Sequence, residues 1–140
     1  MVPVNYLAVL AAAVLAMGIG AVWYGPLFGK KWQELLGMTK EKVEQARAKG
    51  VAKSYVLMFV GSLLMSYVLD HALIFASAYL KASGVGAGVE VGIFNWLGFI
   101  APVTLGVVLW EGKSWKLWLI NNGYYLVTLV LMGILLALWM

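Results

Sequence analysis

Asp70 and His71 stand side by side in an otherwise apolar stretch of the chain. A carboxylate beside an imidazole has the chemistry to take up and pass on a proton near neutral pH. Inside a bilayer an ionisable group costs about 2.5–3.5 kcal/mol at the centre on insertion scales, so each one there needs a reason. Neighbouring helical positions point about 100° apart, so adjacency alone does not make these two partners. Asn5 and Asn95, read as lying near the outer ends of their own apolar segments, are the groups best placed to share a polar pocket with them. Asn5, Asp70, His71 and Asn95 therefore form a first candidate site. Its chemistry is proton relay or binding of an ion or small solute; the alternative is an interhelical hydrogen-bond network that fixes packing.

A second group gathers Glu111, Lys113, Asn121 and Asn122, with Lys116 and the phenols of Tyr24, Tyr124 and Tyr125 nearby. Glu111 is expected to pair with Lys113 or Lys30. The two amides fall about one and a half turns inside an apolar segment, where polar groups need partners. This arrangement is an interfacial anchor network or a recognition site for a lipid headgroup or small polar solute. Metal binding is not expected, because one His, no Cys and scattered carboxylates do not make a ligand set. No cofactor is expected either, and no Ser-His-Asp or paired-carboxylate pattern is present, so the chain reads as non-enzymatic.

The elements that must position these groups follow from composition. Of 140 residues 64% are hydrophobic and 11% charged, against roughly 25% charged in soluble domains. A soluble enzyme is thereby nearly excluded. The pI of about 9.4 invites a nucleic-acid partner, but the positive residues sit between apolar segments instead of alternating with aromatics on a hydrated face, so none is expected. A bilayer crossing takes about 20 mostly apolar residues. Four segments qualify, over about 4–24, 54–80, 89–110 and 116–139. The first is expected to stop at Gly25-Pro26, because proline cannot continue a helix, and Pro102 should kink the third. The fold class is all-α, an integral membrane four-helix bundle forming one transmembrane domain over 1–140.

Orientation follows from the loops. Lys30, Lys31, Lys40, Lys42, Arg47, Lys49 and Lys53 lie between the first two segments, and Lys113 and Lys116 between the last two; only Lys81 falls on the other side. By the positive-inside rule, loops 25–53 and 111–115 are cytoplasmic and both termini extracytoplasmic, in the plasma (inner) membrane. Aromatic belts agree, with Trp23, Tyr24, Trp32, Trp110, Trp115 and Trp118 inside and Tyr6, Tyr79, Trp96 and Trp139 outside. Within the long loop, Thr39 is a plausible N-cap and Gly50 a terminator, giving a short helix over about 39–49 with Lys40 and Glu44 spaced to pair.

Small residues supply the packing. Ala8, Ala12, Ala16 and Gly20 recur at i+4 along the first segment, a ridge that lets another backbone approach closely. Such ridges serve packing inside one bundle or between copies, so a homo-oligomer or a subunit of a larger membrane complex is expected. Two stretches also echo one another: Asn5-Tyr6-Leu7 and Trp23-Tyr24-Gly25 against Asn95-Trp96-Leu97 and Trp110-Glu111-Gly112. A duplicated hairpin would give two parallel repeats related by an axis along the membrane normal.

The string from Trp23 to Trp32 (WYGPLFGKKW) is the most specific feature. With Asn5, the NWLGF run at Asn95–Phe99, the WEGKS run at Trp110–Ser114 and INNGYYLV at Ile120–Val127, the whole chain resembles the small multi-span membrane proteins catalogued as domain of unknown function 1761. The resemblance implies a four-helix membrane protein and carries no activity with it. The residues favour a scaffold or accessory subunit packing with itself or a larger complex. The alternative is an oligomeric transporter or channel for a small solute or ion that uses Asp70.

Overall fold

The computed structural model describes residues 1–140. It is all-α. Helix α1 (Tyr6–Val22) runs on through a π-helical turn at Trp23–Leu27; α2 (Gly29–Leu35) and α3 (Lys40–Ala48) occupy the long loop; α4 spans Ala52–Leu80. Helix α5 (Gly84–Asn95) continues through a second π turn (Trp96–Ile100) into the short α6 (Ala101–Thr104) and α7 (Gly106–Leu109), and α8 covers Trp115–Leu138. Tyr6–Leu27, Ala52–Leu80, Gly84–Leu109 and Trp115–Leu138 are each long and apolar enough to cross a membrane. The protein is a membrane protein built as a four-helix bundle.

The first span does not stop at Gly25-Pro26. It passes through Pro26 because the turn there closes i→i−5: the Phe28 amide donates to Trp23 O at 2.8 Å. A wider turn accommodates a residue that has no N–H to give. Pro102 behaves as expected for a helix disruptor, but the response is again a π turn just before it and a break at Leu105, not a single kink. The third span begins at Gly84, five residues earlier than 89. Gly-Val-Gly-Ala-Gly has the composition of a loop, yet it is helical because Gly88 lies against Gly133: a Cβ on Gly88 would sit 2.5 Å from Gly133 O, and one on Gly92 would sit 2.8 Å from Leu129 O. Only glycine permits that approach of α5 to α8.

The short loop helix α3 has Thr39 as its N-cap, accepting from the Lys42 amide at 3.3 Å. The pairing of Lys40 with Glu44 does not form, and the one salt bridge in the chain is Lys31–Glu34 at 3.3 Å.

Two hairpins make the bundle. Helix α1 packs along α4 and α5 along α8, while α8 also touches α1 and α4. The alanine ridge sits at the centre: Ala8, Ala12 and Ala16 are buried, with Ala13 beside them, in a core completed by Leu69, Leu73, Met132 and Leu136. Gly20 continues the ridge against the Tyr124 ring, where a Cβ would lie 3.3 Å from the hydroxyl oxygen. Facing the ridge, α4 offers Ser62, Ser66 and Asp70 at i+4 spacing, all buried. Ser66 donates to Val9 O at 2.9 Å and Ser62 to Met58 O at 2.9 Å. The repeat register read from sequence does not hold. Asn5 caps the start of α1, whereas Asn95 lies deep in the third span; what the two hairpins share is a π turn opened by a tryptophan.

Candidate functional site

The four residues of the first candidate site do not come together. Asn5 is the N-cap of α1: its Oδ1 accepts from the Ala8 amide at 3.2 Å, and its Nδ2 donates to Trp139 O at 3.0 Å. It thus ties the first helix to the end of the last. Asn95 lies eleven residues into the third span (84 to 95), about 16 Å from its start at 1.5 Å per residue. That is mid-membrane, not the outer end, because the span starts earlier than the sequence indicated. His71 makes no hydrogen bond to Asp70; its Nδ1 lies 2.8 Å from Tyr67 O, and its ring packs against Tyr67 and Phe75 along α4. A direct Asp70–His71 relay is not formed.

Asp70 alone keeps the character of a site. It is 1% exposed, and its Oδ2 has no hydrogen-bond partner. One turn before it, Ser66 bonds Val9, so Asp70 falls beside the first turn of α1, where the backbone amide of Asn5 acts on its carboxylate. The unpaired N–H groups and dipole of a helix N-terminus favour negative charge. They offset part of the desolvation of a carboxylate and leave Oδ2 unmatched. The other orphaned buried atom is Thr128 Oγ1, on α8.

The second candidate site divides. Glu111 and Lys113 are exposed and form no ion pair, with each other or with Lys30. The turn at Gly112, with φ +68°, carries them outward. Asn121 and Asn122, by contrast, anchor a network that the sequence located but could not assign. Asn121 Oδ1 accepts from Tyr24 Oη at 2.9 Å and from the Trp32 indole at 3.1 Å. Asn122 Nδ2 donates to Trp118 O at 3.0 Å, and its Oδ1 lies 2.8 Å from Thr104 Oγ1, which accepts from the Trp118 indole at 3.1 Å. The Trp23 and Trp96 indoles donate to the backbone oxygens of Ile120 and Asn122, both at 2.9 Å. Trp96 is therefore not an outer-belt residue; it is an interior clamp.

Both π turns thus present an indole to the same stretch of α8, one from each hairpin. The strings from Trp23 to Trp32, Asn95 to Phe99 and Ile120 to Val127 meet in space at this network. A family model described as a protein of unknown function (DUF1761) matches residues 7–137. The chain belongs to the DUF1761 family. No curated protein and no solved structure matches it. The DUF1761 match takes in all of the four spans but Tyr6 and Leu138 at their outermost ends, along with the α8 clamp and Asp70.

A feature of this DUF1761 bundle that sequence reasoning missed is a cavity of about 450 Å³ lined by Leu64, Met65, Val68, Leu69, Asn95, Phe99, Ile100 and Leu129. It opens between the second, third and fourth spans. Its signal in sequence was the lone Asn95 among apolar residues, misplaced in depth. No three His, Cys, Asp or Glu side chains come close enough to hold a metal ion.

Proposed function

We propose that this protein is a small ion-handling membrane transporter in which Asp70 binds the coupling proton or cation, and that it performs no covalent chemistry. The observation that supports this reading is the buried carboxylate with an unmatched oxygen. An ionised carboxylate in that position is costly unless a proton or cation accompanies it, and intramembrane carboxylates of this kind mark ion pathways and proton relays. Access from the side of the termini requires the first turn of α1 to move off α4. This turn is held to α4 by the buried Ser66–Val9 bond and to the end of α8 by the exposed Asn5–Trp139 bond. The centre of one bundle is filled by Ala12, Ala16, Met132 and Leu136, so the transporting unit is an assembly of several copies, in the plasma (inner) membrane with loops 25–53 and 111–115 cytoplasmic.

The test is proton movement in vesicles. Purified protein is reconstituted, a pH gradient is imposed, and flux is followed with an entrapped pH dye. Wild type should dissipate the gradient faster than empty vesicles, and Asp70→Asn should return the rate to the empty-vesicle value while retaining helicity. Equal rates for wild type and Asp70→Asn overturn the reading.

A second reading, an accessory subunit of a larger membrane complex, is favoured by α3. This helix carries Lys40, Glu41, Lys42, Glu44 and Arg47, and none of its residues is buried. Isolation from native membranes in mild detergent tests it: a stoichiometric partner lost on deleting residues 39–49 supports it, and a lone chain refutes it.

A further inference from the structure

We infer that the cavity beside Asn95 is a binding site for a neutral, hydroxyl-bearing lipid that enters sideways from the bilayer. Three observations converge there. The walls are apolar, contributed by Leu64, Met65, Val68 and Leu69 of α4, Phe99 and Ile100 of the third span and Leu129 of α8. The volume of about 450 Å³ falls within the range of small-molecule sites. The one polar side chain is Asn95, whose Nδ2 is already used, donating to Val91 O at 2.8 Å. Its Oδ1 makes no hydrogen bond and is not sealed off by the surrounding side chains. The free group is thus an acceptor, and it selects a ligand with a donor.

Depth narrows the chemistry further. Asn95 sits near the middle of its span, where a phosphate or other charged headgroup does not reach without large cost. A molecule that brings a donor to this level has a hydrocarbon body and an uncharged hydroxyl. Leu64, Val68 and Phe99 are exposed on the lipid-facing side, so entry is lateral. The cavity wall also includes Phe99 and Ile100 of the second π turn. Such turns inside helices are frequent at functional positions. Here the widened turn sets Asn95 and Phe99 around one opening. The inference is independent of Asp70, which does not line the cavity.

The experiment uses two photoreactive probes on the protein reconstituted in phosphatidylcholine vesicles: a long-chain fatty alcohol with a mid-chain diazirine, and its methyl ether, which lacks the donor. Cross-links are mapped by peptide mass spectrometry. The alcohol should label the peptides carrying Leu64–Leu69 and Phe99–Ile100 about five-fold more than the ether, the effect of one hydrogen bond. Asn95→Leu should reduce alcohol labelling to the level of the ether, and Leu64→Trp, which narrows the mouth, should lower labelling by both. Asn95 makes only a bond within its own helix, so Asn95→Leu is expected to fold, with retained helicity as the check. Equal labelling by alcohol and ether, or labelling spread evenly over all lipid-facing helices, overturns the inference and leaves generic lipid contact.

Discussion

At the scale of single residues, buried polar groups in this bundle are of two kinds, and their substitution should have different consequences. Asn122 is fully engaged: its amide joins Trp118, Thr104 and, through its backbone oxygen, Trp96. Replacing it with Leu removes two side-chain bonds, while the Thr104 hydroxyl keeps Ile100 O at 2.8 Å and the Trp118 indole at 3.1 Å as partners. Side-chain hydrogen bonds between membrane helices average about 0.6 kcal/mol each, and no polar group is orphaned here to add to that. Asn122→Leu should therefore lose about 1–2 kcal/mol in SDS-induced unfolding followed by ellipticity. Asp70 is the opposite case. Oδ2 has no partner to lose, and the amide oxygen of an asparagine can still accept from the Asn5 backbone amide, so Asp70→Asn mainly lowers the desolvation burden. It should leave unfolding unchanged or make it harder, even as it abolishes flux. A residue whose loss harms function without harming stability is held for function; an Asp70→Asn variant that unfolds more easily would instead mark the carboxylate as a helix-terminus contact.

At the scale of elements, the α5–α8 crossing depends on glycines whose roles the neighbouring glycines do not share. Gly86 and Gly88 lie two residues apart in one helix, yet a Cβ on Gly86 meets nothing within 4 Å and one on Gly88 meets the Gly133 backbone. Both gain the same helix propensity on becoming alanine, about 1 kcal/mol. Gly88→Ala must also push two backbones apart, at about 1–3 kcal/mol. Gly86→Ala should thus stabilise the bundle slightly and Gly88→Ala destabilise it, in paired unfolding curves. This crossing also explains what the sequence could and could not convey. The four spans were legible because continuous apolar runs of this length have few alternatives. The alanine ridge was legible as a packing surface because its i+4 spacing is local. The start of α5 was not, since Gly-Val-Gly-Ala-Gly becomes a helix only against Gly133, more than forty residues away. That shift moved Asn95 from the edge of the membrane to its middle and dissolved the expected outer cluster. The π turns escaped notice for a related reason. Proline and glycine in WYGPLFG signal an end to an α-helix, and nothing local distinguishes an end from a widened turn that continues. Asn121 and Asn122 were legible as amides in need of partners, while the indoles that meet them come from residues up to about a hundred positions away.

At the scale of the whole molecule, charge distribution and packing bear on one another. The Trp32–Asn121 and Tyr24–Asn121 bonds lock the long loop's beginning to the start of α8. The two positively charged connections therefore share one end of the bundle, and Asn5–Trp139 joins the termini at the other. Nine of the ten Lys and Arg residues belong to the first end and only Lys81 to the second. Positive residues in short loops resist translocation, so the bundle should insert with the lysine-rich end in the cytoplasm. A C-terminal reporter that is active only outside the cytoplasm should be active after Met140 and silent when inserted after Gly50. The bias is distributed over many residues, so no single lysine should control it. Neutralising Lys113 and Lys116 together leaves seven positive charges on that end and should not change the pattern. Neutralising the seven in Lys30–Lys53 leaves two against one, and the reporter pattern should become mixed. The packing predicts which part of the molecule registers that mixture first. An inverted first hairpin cannot bring Trp23, Tyr24 and Trp32 to α8, so the inverted fraction should lack the indole clamp and be cut by protease within loop 25–53. A mixed reporter pattern with undiminished protease resistance would mean that α8 and its clamp do not hold the two hairpins in register.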